Sequence, residues 1–347
     1  MKVSAESNKP ARGVIDTLSA GFENVNKIIW ILLFPIAMDV FLWKGPQLSI
    51  AQFVKRLFAW YGAALSAQLN QAGAAATSDL FAEMDQMKQA IEASLSQFNL
   101  FSILVGGGPL GGMLPAIPTL NLVASSGPIV EVVSTLAIFG LFVLLGLAGL
   151  FLGCIYLGLV AQQVRDGKVD FARLMRRVWR YWLSVLGFVA MVIGFAFVTG
   201  VPTGLLISGA FMASPSVGMV LSTLVAVAMQ MAAMLMIMYL FFLADAIIIS
   251  EVGPFRALLN SVRVVVRNFW SALALIGLII LISLGTQEIW RYLSAESWGA
   301  IAGIAGNAYI ASGLTAARML YYRDRYAMLE GAVAPVSGGG REQEEVR

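Results

Sequence analysis

Six apolar runs, at about 25–43, 132–160, 183–208, 219–249, 269–289 and 298–320, constrain most strongly what this chain can fold into. A helix needs roughly 20 mostly apolar residues to cross the hydrocarbon core of a bilayer, and each run is about that long or longer. The chain is 59% hydrophobic and only 12% charged, whereas soluble domains carry about 25% charged residues. The sequence therefore predicts an all-α, polytopic bundle of about six transmembrane helices.

Positive charge falls mainly on one side of these spans. Four segments hold most of the 23 lysines and arginines: the N-terminal segment, 161–182, 251–268 and the C-terminal end. The other side receives only Lys44, Lys55, Arg56, Lys88 and Arg291. Because lysine and arginine concentrate in cytoplasmic loops, we expect both termini to be cytoplasmic, in a bacterial cytoplasmic membrane.

A basic amphipathic segment precedes three of the spans. Arg256, Asn260, Arg263 and Arg267 recur at helical spacing and form one polar stripe. "DTLSAGFENVNKIIW" aligns without gaps on "RALLNSVRVVVRNFW", so that Trp30 matches Trp270, and "DFARLMRRVWRYW" before span three is a looser version. The sequence predicts three parallel units, each an interfacial helix followed by a transmembrane hairpin.

Three stretches carry a resemblance: "LSAGFENVNKIIWILLFPIAMDVFLWKGPQLS", "SEVGPFRALLNSVRVVVRNFW" and "TAARMLYYRDRY". They resemble a broad group of uncharacterised bacterial six-span membrane proteins, and they are similar to the membrane domain attached to some glycerophosphodiester phosphodiesterases. The phosphodiesterase active site belongs to a separate domain with histidines and acids, and this chain has no histidine. The resemblance therefore implies the fold of the membrane domain and not the activity.

The chain divides into a six-span domain over 1–328, an insert at 44–129 on the outer side, and a disordered cytoplasmic tail at 329–347. Apolar residues at helical spacing over 48–70 and 78–99 predict a helical hairpin in the insert. The segment that follows, 100–128, is apolar yet rich in Gly and Pro, and it is either a surface loop or a re-entrant element.

Acidic residues in or beside the spans are the candidate functional groups, because an unpaired charge in hydrocarbon is costly. They are Asp39, Glu131, Asp245 and Glu288. The outer three could line a cation entrance, or Asp39 could pair with Lys44 and Glu288 with Arg291. A partnership of Asp245 with Arg256 or Arg165 would make that acid a structural clamp.

The basic stripes are candidate contacts for anionic lipid headgroups on the cytoplasmic side. These residues are Arg173, Arg176, Arg177, Arg180, Arg256, Arg263, Arg267, Arg323 and Arg325. A net charge of +3 is too small to suggest nucleic acid as a partner. The insert at 44–129 is the expected contact for a protein partner in the cell envelope.

The absence of histidine and the single cysteine, Cys154, exclude the Ser-His-Asp and Cys-His triads and Cys/His zinc sites within one chain. We expect no cofactor and no bound metal. The leading hypothesis is a non-enzymatic multi-pass membrane protein that acts as a scaffold or accessory protein of the cell envelope. A transporter or lipid-handling permease that uses the intramembrane acids is the alternative, and an intramembrane enzyme is the third.

Overall fold

The chain folds into a bundle of long apolar helices with almost no sheet, as the sequence predicts. The computed structural model describes residues 12–72, 86, 89, 98–106, 127–293 and 297–333. Within these ranges five helices are long and apolar enough to cross a membrane, and a bent pair at the N-terminus makes a sixth when it is counted as one span. The protein is therefore a multi-pass membrane protein by the length and composition of its helices.

From Thr135 onward the described helices follow one another with short connections. They are α1 (Val14–Lys27), α2 (Leu33–Lys44), α3 (Ala51–Ala72), α4 (Ile103–Gly106), α5 (Thr135–Asp166), α6 (Phe171–Ala213), α7 (Pro215–Leu240), α8 (Leu243–Ile249), α9 (Pro254–Arg267), α10 (Phe269–Leu293) and α11 (Ser297–Val333). Short 3₁₀ turns at Ile29–Leu32 and Leu100–Ser102 precede α2 and α4.

Helices α1 and α9 confirm the predicted repeat between the first and third units. Both begin after a glycine, Gly13 or Gly253, whose backbone is extended, with φ of −61° and −69°. Both end at aligned positions, where Ile28 and Asn268 have closely similar backbone angles, φ −132° and ψ 45° against φ −125° and ψ 37°. The same local conformation therefore turns each amphipathic helix into its span.

The first span begins later than the predicted limit near residue 25. The chain bends by 91° between α1 and the segment Ile29–Lys44, so α1 does not continue the direction of α2. Val25 at the end of α1 is buried, whereas Ile29 and Trp30 just beyond the bend are exposed. Hydropathy alone places Val25 and Lys27 in the span, but these residues belong to the separate amphipathic helix.

The second unit departs from the other two because its basic segment is continuous with its span. Helix α6 runs unbroken from Phe171 to Ala213, and Asp170 caps it by accepting a hydrogen bond from the Arg173 N–H at 3.0 Å. The turn before α6 is tight: Gly167 has φ of +64°, a conformation that favours glycine. The Gln162 side chain also exchanges two hydrogen bonds with the backbone of Asp170, at 2.8 and 3.1 Å.

The two ends of the 44–129 insert lie side by side. Strand β1 (Gln47–Ser49) pairs in parallel with β2 (Ile129–Glu131), with Leu48 opposite Val130. The Asn99 side chain accepts hydrogen bonds from the backbone N–H groups of Leu48 and Phe101, both at 3.1 Å. Helix α3 confirms the predicted helix over 48–70. Most of the predicted helix at 78–99, and 107–126 of the loop, lie outside the described residues.

The packed core lies toward the end of the bundle that carries the 161–182 and 251–268 segments, here called the basic end. Every residue of α8 is buried, and so are Tyr156, Tyr321 and Tyr322 on the neighbouring helices. By contrast, residues 226–237 of α7 are exposed on every face of that helix. Helix α11 continues to Val333, into the predicted tail, and 334–347 lie outside the described residues.

Candidate functional site: a buried ion pair and a basic groove

Asp245 forms an ion pair with Arg318 inside the bundle. The carboxylate is fully buried in the first turn of α8, and Arg318 on α11 is 21% exposed. Arg318 Nε lies 2.8 Å from Asp245 Oδ2, and an Arg318 Nη donates to Oδ1 at 3.1 Å. The predicted partnership of Asp245 with Arg256 or Arg165 is therefore wrong: Arg318 of α11 pairs with this carboxylate, and Arg165 pairs with Asp166 and Glu251 instead.

The helix that carries Asp245 is interrupted just before it. Helix α7 ends at Leu240 and α8 begins at Leu243, although no Gly or Pro lies at the break. A break inside a membrane leaves carbonyl groups that need a donor, and the Ser261 hydroxyl donates to the Tyr239 carbonyl at 2.7 Å. The Arg318 guanidinium lies 5.5 Å from the centre of the Phe241 ring, so the same arginine also contacts the break.

Glu251 is the centre of a second polar cluster, in the loop between α8 and α9. Its Oε1 accepts hydrogen bonds from Arg165 at 2.7 Å and from the Tyr181 hydroxyl at 3.0 Å, and it also bonds Arg177. Glu251 has φ of +53°, a conformation that costs free energy for a residue with a side chain. The three donors come from α5 and α6, so this carboxylate ties the α8–α9 loop to both helices.

Although burial opposes ionisation, the hydrogen bonds from Arg165 and Tyr181 hold the pKa of Glu251 below its usual range. A lowered folded-state pKa means that the ionised carboxylate stabilises the fold at neutral pH and that this contribution is lost as the pH falls through the lowered value. We expect Glu251→Gln to lower the free energy of unfolding by about 1–3 kcal/mol at pH 7. Thermal unfolding in nanodiscs measures the difference.

The difference between wild type and Glu251→Gln should shrink as the pH falls below about 4.3, the ordinary glutamate value, because the wild-type carboxyl becomes neutral as well. Glu288→Gln is the matched control. Glu288 pairs only with Arg291 among the described residues, and both side chains are 55% exposed, so its loss should have little effect. If the difference in stability between wild type and Glu251→Gln stayed constant below about pH 4.3, the ionised Glu251 carboxylate would not be what stabilises the α8–α9 loop.

The other predicted acids lie apart from this cluster. Asp39 is fully buried in α2, Glu131 is the last residue of β2 and is exposed, and Glu288 pairs with Arg291 as the alternative prediction states. Among the described residues, no group of three or more acidic, cysteine or histidine side chains is arranged to hold a metal ion. Asp39, Glu131 and Glu288 belong to no such group.

The predicted headgroup arginines separate into two classes. In the first class, Arg173 pairs with Asp166 and Asp170, and Arg177 pairs with Glu251. Arg323 pairs with Asp324 and also donates to the Val164 carbonyl. Arg325 lies 5.2 Å from the centre of the Tyr321 ring. Among the described residues, no carboxylate pairs with the remaining ones. These are Arg176, Arg180, Arg256, Arg263 and Arg267, all exposed.

A groove at the basic end collects several of these arginines between α9 and the last turns of α11. One cavity, of about 740 Å³, is bordered by four arginines and one glutamate: Arg165, Arg256, Arg263, Arg323 and Glu330. A neighbouring cavity of about 840 Å³ shares Asn260, Arg263, Tyr326 and Glu330 with the first and adds an apolar wall. That wall consists of Val262, Val266 and Leu329. The two cavities, together called the basic groove, join a cationic part to an apolar part.

Sequence reasoning missed Arg318 and Glu251, and it offered Arg165 as a partner of Asp245 rather than of Glu251. Glu251 stands in the Glu-x-Gly-Pro stretch, but its spacing from Arg165 and Arg177 is 86 and 74 residues, which no local pattern reveals. Arg318 is counted in the sequence with the basic residues of the C-terminal end, and only the helix packing places it opposite Asp245.

No known family model, no curated protein and no solved structure matches this chain. The resemblance to the membrane domain of glycerophosphodiester phosphodiesterases stays a prediction. The functional conclusion therefore comes from the protein's own geometry: a multi-pass helical bundle in which the fully buried Asp245 is paired with Arg318.

Proposed function

We propose that this protein is a non-enzymatic scaffold or accessory protein of the bacterial cell envelope, with both termini in the cytoplasm. The ion pair between Asp245 and Arg318 is the observation that carries this proposal. Asp245 has no solvent exposure, and its charge is balanced by an arginine of the same bundle. A transport site needs an ionisable group that a substrate or a proton can reach, and this acid is enclosed by packed side chains.

The exposed part of α7 supports the same proposal. Residues 226–237 present apolar side chains on all sides, among them Met229, Met234 and Ile237. A helix of a transporter core is usually packed against its neighbours, whereas this one offers its whole circumference to lipid or to another membrane protein. Methionine is adaptable at contact surfaces. We place a second contact with a protein partner in the insert at 44–129.

A permease is the second candidate, and one observation favours it. Span four, Pro215–Ile249, contains a short turn at Phe241 and Phe242, shortly before Asp245. Discontinuous helices form substrate and ion sites in many transporters. Here the Ser261 hydroxyl donates to the Tyr239 carbonyl and Arg318 lies over the Phe241 ring. These contacts within the bundle favour a structural role for this turn over a substrate site.

Native mass spectrometry of the protein released from nanodiscs of its own lipids tests the proposal. Wild type is compared with Asp245→Asn and with Glu288→Gln, a control at an exposed surface pair. We expect the same bound species in all three proteins, because the proposal gives Asp245 no part in binding. A stoichiometric small molecule that is lost only in a still-folded Asp245→Asn protein would overturn the proposal and favour the permease. A melting curve of each variant establishes that it is folded.

A further inference from the structure

The geometry points to a binding site for a phosphate-bearing amphipathic ligand in the basic groove between α9 and the end of α11. The ligand chemistry is a phosphate ester joined to an apolar chain, which is the chemistry of an anionic phospholipid. Arg256 and Arg263 would bind the phosphate, and Val262, Val266 and Leu329 would contact the chain. This site is separate from the Asp245–Arg318 pair and goes beyond the proposed accessory role.

The unneutralised charge of the groove is the first argument. Arg165 and Arg323 are already engaged with Glu251, Asp166 and Asp324. Among the described residues, neither Arg256 nor Arg263 has a carboxylate partner, although both border the same cavity. Glu330 supplies one negative charge against the four arginines. The cavity is therefore left with an excess of positive charge, which an anion would balance.

The fixed placement of Arg256 and Arg263 on α9 is the second argument. Arg256 and Arg263 lie two turns apart on α9, and Asn260 between them is only 7% exposed. Helix α9 is anchored by Ala257, Ser261, Val264 and Val265, all fully buried. Arginine binds phosphate through paired N–H donors, and a rigid helix holds such donors at a constant separation. The two guanidinium groups border the same cavity and can bind one ligand together.

The apolar wall is the third argument, because it distinguishes this groove from a purely polar anion site. The two cavities share four residues, so a ligand can extend from Arg256 past Arg263 to Val266 and Leu329. Tyr326 borders both cavities, and its ring stacks on Tyr322 at a centroid distance of 5.5 Å. A polar headgroup and the first part of an acyl chain would match these two parts.

The test compares Arg256→Gln/Arg263→Gln with Arg176→Gln/Arg180→Gln. Both double variants remove two exposed arginines that have no carboxylate partner among the described residues, but only the first pair borders the groove. In the lipid arm, wild type and variants are released from nanodiscs of phosphatidylcholine that contain phosphatidylglycerol, and retained lipid is counted by native mass spectrometry. In the soluble arm, glycerol 3-phosphate is titrated into the protein in phosphatidylcholine nanodiscs.

We expect wild type and the Arg176→Gln/Arg180→Gln control to retain one phosphatidylglycerol, and the groove variant to bind it roughly tenfold to a hundredfold more weakly. Binding of glycerol 3-phosphate with the same dependence on Arg256 and Arg263, and no retained lipid, would support the phosphate contacts but overturn the role of the apolar wall. Equal losses in both double variants, or no binding in either arm, would overturn it.

Melting temperatures should be unchanged in both double variants, because the arginines they remove are exposed and have no carboxylate partner among the described residues. The test is independent of the accessory role. A retained ligand that depends on Asp245 would contradict the accessory role. Binding that does not depend on Arg256 and Arg263 would contradict the groove site.

Discussion

Asp245→Ala is expected to lower the free energy of unfolding by about 3–5 kcal/mol. The substitution leaves the guanidinium of Arg318, 21% exposed, among packed side chains without its carboxylate. Arg318→Met should cost a similar amount, because it leaves the fully buried Asp245 carboxylate without its cation. Chemical or thermal unfolding in nanodiscs measures both losses of stability.

The double variant Asp245→Ala/Arg318→Met distinguishes a direct pair from two independent effects. When both charges are removed, neither remains unpaired, so most of the lost stability should return. We expect the double variant to be more stable than either single variant. Losses that simply add would contradict the ion pair as the clamp between α8 and α11. Arg291→Met is a matched control, because its ion pair with Glu288 is exposed on both sides and should contribute little.

Gly21→Ala is expected to destabilise the fold by about 1–3 kcal/mol, although it adds a single methyl group. A Cβ at Gly21 would lie 2.6 Å from the Ala317 backbone nitrogen and 2.6 Å from the Gly313 carbonyl oxygen. Both are backbone atoms of α11, so they cannot rotate away, and the two helices must separate. Separation would also strain the hydrogen bond from the Tyr309 hydroxyl to Asn26, which is 3.1 Å long.

Gly277→Ala is the matched control for this prediction. It also lies inside a helix, α10, but a Cβ there would meet no heavy atom within 4 Å. Alanine has the higher helix propensity, so Gly277→Ala should leave stability unchanged or raise it by about 0.5–1 kcal/mol. Melting temperatures in the same nanodiscs compare the two variants. Equal behaviour of Gly21→Ala and Gly277→Ala would contradict the close contact between α1 and α11.

The repeat shows how far sequence patterns reach. Aligning Trp30 with Trp270 predicts corresponding helices, and α1 and α9 begin and end at corresponding residues. The alignment works because capping glycines and the period of the buried face are local features. The second unit also has the predicted basic helix, but α6 passes through Trp182 without a break, and no residue type at that position distinguishes a continuous helix from a bent one.

The charged groups show where sequence patterns end. Residue types mark Asp245 as costly in a membrane, and i+3 spacing predicts the pair of Glu288 with Arg291, which the structure confirms. The partner of Asp245 lies 73 residues away on α11, and the partners of Glu251 lie on α5 and α6. Such partners depend on which helix faces which, so local spacing cannot predict them.

The sequence by itself determined the all-α class, the number and approximate limits of the spans, and the one-sided distribution of positive charge. These properties follow from hydropathy and from the cost of unsatisfied backbone in hydrocarbon, which act on each segment separately. Tertiary structure alone decided the pairing of Asp245 with Arg318, the partners of Glu251, and the basic groove. Each of these results from contacts between helices distant in the chain, where close packing selects one arrangement from several of similar local free energy.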